Sequence, residues 1–154
     1  FLNVMVYPDI DVYLPRVNLT QIFEIGAKIA TCDLVTQVVY EPSDDPVNMP
    51  EGLYMKVRLN YGGWIRLWKI DLWSLTEDVV IMKLAEMKHF QQAMTALLRE
   101  QIILYKLSIM TSQNRTPRYS GYYIYKAFID ERLTDFDSVT RYLVSCGIHI
   151  EAAR

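Results

Sequence analysis

The chain has 154 residues and a mass of 18.0 kDa, with 51% apolar and 22% charged residues, a composition that excludes disorder and collagen-like repeats. Sixteen Lys and Arg against eighteen Asp and Glu give a formal charge of −2, so the overall charge favours neither a nucleic acid nor an anionic membrane as partner. Cys32 and Cys146 have neither metal-ligand spacing nor a disulfide framework and point to buried thiols in a reducing, cytoplasmic setting, and no apolar stretch reaches the roughly 18–20 residues of a membrane helix.

Phe1 opens the chain without a Met, and Leu2 to Tyr7 already resembles the middle of a folded element, which implies further chain upstream. Leu2 to Leu14 reads as extended chain interrupted at Pro8. Beyond the proline, Ile10, Val12 and Leu14 share one face while Asp9, Asp11 and Tyr13 share the other. Asn18 with Gln21 predicts a capped helix with apolar positions at Leu19, Ile22, Phe23, Gly26, Ile29 and Ala30, ending near Cys32 or Asp33. The β-branched and aromatic run Leu34 to Tyr40 predicts a strand, and Glu41 to Glu51 a loop.

A hairpin follows: Leu53, Met55, Val57 and Leu59 alternate with Tyr54, Lys56, Arg58 and Asn60, and Gly62-Gly63 supplies a tight turn into Trp64 to Trp73. A two-residue loop there pairs Tyr61 with Trp64 and puts Asp71 opposite Tyr54. Ser74 with Glu77 has the form of a capping box, and Leu75 to about Met110 contains no Gly or Pro. As one rod this stretch would run about 50 Å, longer than so small a domain is wide, which predicts a break between Lys88 and Thr95. Thr111 to Arg118 is a polar connection, and Tyr122 to Leu133 and Asp137 to Cys146 are two further helices, the last closed by Gly147. The expectation is therefore an α+β chain, with a small mixed sheet and one helix over residues 1–74 and a helical part over residues 75–154.

Carboxylates at positions i and i+2 of a strand point to the same side, about 7 Å apart, which is the relation between Asp9 and Asp11. Like charges at one end of an otherwise apolar strand are costly unless a cation lies between them, and a hard divalent cation such as Mg²⁺ prefers such oxygens. Asp71, framed by Ile70 and Leu72, is a third strand-borne acid that could join them. The plainer alternative is that these acids solvate the wet face of a strand.

The Asp9-Ile10-Asp11-Val12 segment and the lone acid of Ile70-Asp71-Leu72 resemble the carboxylates of the nucleotidyltransferase superfamily, the polymerase β-like fold that includes antibiotic and minimal nucleotidyltransferases. The likeness spans Val4 to Trp73. It implies a small mixed sheet on which Asp9 and Asp11 bind two Mg²⁺ ions, while Asp71 completes the first metal site and helps activate the attacking hydroxyl. It also implies a nucleoside triphosphate as substrate, an unidentified hydroxyl acceptor, and appended helices from Glu77 onward that shape the acceptor site. The family has a Gly-Ser or Gly-Gly motif ahead of the first acid; Phe1 to Pro8 holds none, so the motif lies upstream or has been lost. If lost, the alternative is a catalytically silent relative serving as a nucleotide- or protein-binding module. Lys69, on the same strand face as Asp71, and Arg58 or Arg66 on the hairpin are candidates to meet phosphate charge. Nothing in the sequence calls for a membrane or extended nucleic acid as partner, and a homodimer is compatible with it.

The remaining chemistry-bearing residues have structural expectations. His89 and His149 lack a second ligand at metal spacing. Trp64, Trp68 and Trp73, the tyrosines 119, 122, 123 and 125, and Met82, Met87 and Met94 are expected to pack.

Overall fold

Alternation and capping are realised in a computed structural model that describes residues 2–42, 49, 51–63, 65–112, 115–117 and 119–150. The elements in chain order are β1 (Asp9–Pro15), α1 (Leu19–Ile29), β2 (Val35–Pro42), β3 (Leu53–Leu59), β4 (Trp68–Leu75), α2 (Glu77–Ala93), α3 (Ala96–Ser108), α4 (Ser120–Ile129) and α5 (Phe136–Ser145). The chain divides into two compact units, Pro8–Glu86 and Phe1–Tyr7 with Met87–Arg154, and the division falls inside α2.

In the first unit four strands form a mixed sheet in the order β1-β4-β3-β2, with β1 parallel to β4 and the other pairs antiparallel. The parallel pair needs a long crossover, and α1, β2 and β3 all lie within it. Asn18 caps α1 with its side chain on the Gln21 N–H while the Gln21 side chain returns to the Asn18 N–H, each at 2.9 Å, so both partners of the expected box are present. Ile22 of α1 packs on Met55, Val57 and Leu72, which are buried on one face of the sheet. Gly26 lets the helix approach: a Cβ there would stand 2.8 Å from the Met55 thioether. The other face carries a smaller apolar group of Tyr54, Trp73 and Leu75, joined by Tyr13, Val79 and Val80.

Two expectations about this unit are corrected. The β3–β4 ladder ends at Leu59 opposite Trp68, so Asp71 lies opposite Lys56 and Tyr54 opposite Trp73. Asn60 leaves the ladder because its N–H bonds the Leu34 carbonyl at 2.8 Å, and the connection then runs from Asn60 to Leu67 with Gly62 and Gly63 at φ 73° and 68°. The shift is by two residues, so every side chain keeps its expected face. Ser74 is a strand residue and not a cap: its hydroxyl accepts from the Val17 N–H at 2.9 Å and donates to the Pro15 carbonyl at 3.2 Å. The connection after Pro42 lies largely outside the described residues, as does Trp64.

In the second unit Leu2 to Tyr7 is irregular rather than a strand, and Leu2 and Val4 join a core built on Phe90, Ile102, Tyr105, Ile124, Phe128, Val139 and Leu143. The expected break in the long helix falls after Ala93, and Thr95 caps α3 by accepting from the Leu98 N–H at 3.1 Å. The last two helices each begin earlier than the apolar pattern alone predicts, α4 at Ser120 and α5 at Phe136 behind an Asp135 cap. Gly147, at φ 82°, closes α5: its N–H bonds Val144 and that of Ile148 bonds Leu143, the two bonds of a Schellman turn. Tyr122, Tyr123 and Tyr125 pack against the core, as do Met87 and Met94. Met82, however, is exposed, and so is Cys32, which lies in the turn between α1 and β2. No helix among the described residues is long and apolar enough to cross a membrane.

Candidate metal and nucleotide site

The parallel pairing of β1 with β4 sets Asp9 opposite Lys69 and Asp11 opposite Asp71. All four side chains therefore share the face turned away from α1, because Ile70 and Leu72 on β4 and Val12 on β1 point into the core beneath that helix. On the neighbouring strand Lys56 lies opposite Asp71 and Arg58 opposite Lys69, on the same face. The four site residues singled out in the sequence, Asp9, Asp11, Asp71 and Lys69, are thus brought together on two adjacent strands about 4.8 Å apart. Arg66 lies outside the strands, in the connection between β3 and β4.

Asp71 is 8% exposed and is held from two sides. The Tyr54 hydroxyl donates to its Oδ1 at 2.8 Å, and the Lys69 ammonium lies 2.5 Å from its Oδ2. The same ammonium is 3.4 Å from Asp9 Oδ1, a buried oxygen that accepts no hydrogen bond. Lys56 pairs with Glu41 at 2.5 Å. Tyr54 is the site residue that motif reasoning missed; its alternation with Lys56 and Arg58 places it on this face, and only the register shows which acid it reaches.

The electrostatics follow from one close ammonium among three carboxylates. Burial raises the Asp9 pKa, Lys69 pulls it back and Asp71 pushes it up again, for a net rise. Asp11, which forms no ion pair among the described residues, is pushed up to about 6 by its desolvating surroundings and by Asp9 and Asp71. Asp11 retains exposed surface, so the repulsion from two neighbouring carboxylates is the firmer of those causes. Burial by itself would lower Lys69, but Asp9 and Asp71 outweigh it and hold the ammonium above its ordinary range. Arg58, on the same face, also draws the Asp9 pKa down.

Among the described residues no three carboxylate, imidazole or thiol side chains stand close enough together to hold a metal ion. Lys69 takes up the space between Asp9 and Asp71 that a shared cation would use. The donor set is nonetheless one that suits Mg²⁺: all oxygen, all carboxylate, with an orphaned oxygen on Asp9 and a repelled carboxylate on Asp11. Elsewhere the exposed His89 contacts Asp130 at 2.7 Å. No family model, no curated protein and no solved structure matches this chain.

Proposed function

We propose that the chain is a metal-dependent nucleotidyltransferase, in which Asp9, Asp11 and Asp71 hold Mg²⁺ and a nucleoside triphosphate donates its nucleotidyl group to a hydroxyl acceptor. The observation that carries this reading is the parallel register that sets Asp11 beside Asp71, with Asp9 on the same face. Bound there, Mg²⁺ would neutralise triphosphate charge and lower the pKa of the attacking hydroxyl. The protein's own part is orientation. Tyr54 donates to Oδ1 of Asp71, which leaves Oδ2 to Lys69. The Lys69 ammonium would be the group to meet phosphate oxygens. In the transfer the acceptor oxygen bonds to the α-phosphorus, the bond to pyrophosphate breaks, and the acceptor's proton leaves to solvent.

A second reading, a silent relative that binds nucleotide or protein without transfer, is favoured by Lys69 itself, which already neutralises part of the carboxylate cluster. Calorimetric titration with a non-hydrolysable nucleoside triphosphate, with and without Mg²⁺, tests the first. Metal-dependent binding in the wild type that is lost in Asp11→Ala supports it, and pyrophosphate release with a suitable acceptor then separates it from the second. An absence of nucleotide binding in either condition overturns it. Asp11 is the position to change because, among the described residues, no ion pair depends on it.

A further inference from the structure

We propose that Lys69 is an exchangeable counter-ion, which competes with the divalent cation for Asp9 and Asp71 and so makes metal and nucleotide bind together rather than separately. This rests on the reading of those acids as metal ligands. The geometry behind it is direct: the Lys69 ammonium lies 2.5 Å from Asp71 Oδ2 and 3.4 Å from Asp9 Oδ1. Those acids sit on different strands, and Lys69 can lie against both because it stands in register with Asp9 and two residues before Asp71 on the same face. A metal ion sharing Asp9 and Asp71 needs the volume that the ammonium fills, and two cations crowded against the same carboxylates repel each other.

Entry of metal alone must therefore displace an ammonium into water with nothing in exchange. Entry of metal with a nucleotide gives that ammonium a new partner, the phosphate oxygens. Lys69 is thus the element that couples the two ligands, and linkage requires the coupling to be reciprocal. The long, flexible Lys stem suits this movement better than a planar, bidentate Arg would.

The test measures Mn²⁺ binding to the full chain from the free-ion paramagnetic resonance signal, with and without a non-hydrolysable nucleoside triphosphate. In the wild type, after the Mn²⁺ held by the nucleotide alone is subtracted, the nucleotide should tighten Mn²⁺ binding by roughly tenfold or more, within the usual range of such couplings. Lys69→Met should bind Mn²⁺ alone roughly tenfold more tightly than the wild type and lose most of the nucleotide enhancement, while Lys69→Arg, which keeps the charge but moves less readily, should keep only part of it. Wild-type binding with an unchanged Lys69→Met profile overturns the counter-ion role and leaves the proposed function standing. A wild type that binds no Mn²⁺ in any condition overturns both. Should Lys69→Met not fold, the wild type still decides the matter: the ¹⁵Nζ resonance of Lys69 must move when Mg²⁺ and nucleotide are added together, and a resonance that stays in place overturns the inference.

Discussion

The Tyr54 hydroxyl donates to Asp71 Oδ1 at 2.8 Å, although the residue directly across the ladder from Tyr54 is Trp73. The phenol reaches diagonally while its ring stacks on Trp73, with centroids 4.5 Å apart. Both rings are buried, so the hydroxyl has little access to water as a substitute partner. Tyr54→Phe keeps the stack and removes only the bond to a charged group, which should cost about 1.5–3 kcal/mol in urea denaturation with an unchanged slope. Tyr54→Ala should cost more, because the ring contact is lost as well. Equal stability of Tyr54→Phe and wild type would mean that this hydrogen bond does not restrain Asp71.

Asp11 makes a pH-dependent prediction whose sign is fixed by its environment. A carboxyl with a native pKa of about 6, against an ordinary value of 3.8, holds its proton more tightly folded than unfolded. Its contribution to stability is therefore complete below the unfolded value and is lost as the pH rises through about 6. Asp11→Asn, which cannot ionise, should be more stable than the wild type near pH 8 and no more stable near pH 4. Since Asp11 is exposed, solvent screening should hold the difference to about 1 kcal/mol or less. Parallel urea titrations at the two pH values measure it, and a gain of equal size at both would show that the variant acts through packing instead.

The faces of the sheet were legible in the sequence, because period-two alternation decides them and survives an error in register. Asp9 with Asp11, and Lys69 with Asp71, could each be placed on one face of their strand on that basis; that the two strands are parallel neighbours was not legible. The loop length was not legible: Gly62-Gly63 is a strong turn signal, yet Asn60 bonds to Leu34 on a third element, and no local pattern announces that. The same holds for Ser74, which has a capping-box partner at Glu77 but uses its hydroxyl to tie the end of β1 to the chain before α1. The position of the Lys69 ammonium between Asp9 and Asp71 is a side-chain choice among competing acids, and it needs three dimensions to settle. The Asn18 cap and the break ahead of Thr95 fared better, because each is decided within a few residues of its own helix.

In the helical unit Lys106 is a buried cation with a structural task. It is 7% exposed, donates to the Val4 carbonyl at 3.1 Å and to the Tyr125 hydroxyl at 2.8 Å, and lies 4.7 Å from the centroid of the Tyr125 ring. Arg99 adds a bond to the Leu2 carbonyl at 3.3 Å, and the Tyr7 hydroxyl meets Thr116 at 3.0 Å. Lys106→Met preserves much of the apolar stem but deprives Val4 and Tyr125 of this donor, at an expected cost of about 1–3 kcal/mol. Amide exchange should accelerate first at Leu2 to Tyr7, ahead of the rest of the unit. Unchanged exchange there would place the hold on this segment in the burial of Leu2 and Val4 alone.

Gly26 tests how closely α1 lies on the sheet. A Cβ at this position would meet Met55 Cε and Sδ at 2.8 Å and Val38 Cγ1 at 3.3 Å. Met55 is 1% exposed, but its thioether end is flexible enough to yield to a single methyl group. Gly26→Ala also gains helix propensity, roughly 1 kcal/mol, so its stability should stay within about 1 kcal/mol of the wild type. Gly26→Leu exceeds what Met55 can give and should lose about 1–3 kcal/mol by overpacking. The two positions share one volume, so Met55→Ala should restore part of that loss in the double variant, although alone it destabilises by opening a cavity. Thermal melts of the four proteins, wild type included, complete the cycle. If the two large effects simply add, Gly26 and Met55 do not share a packing site, and the helix must lie farther from β3 than this contact requires.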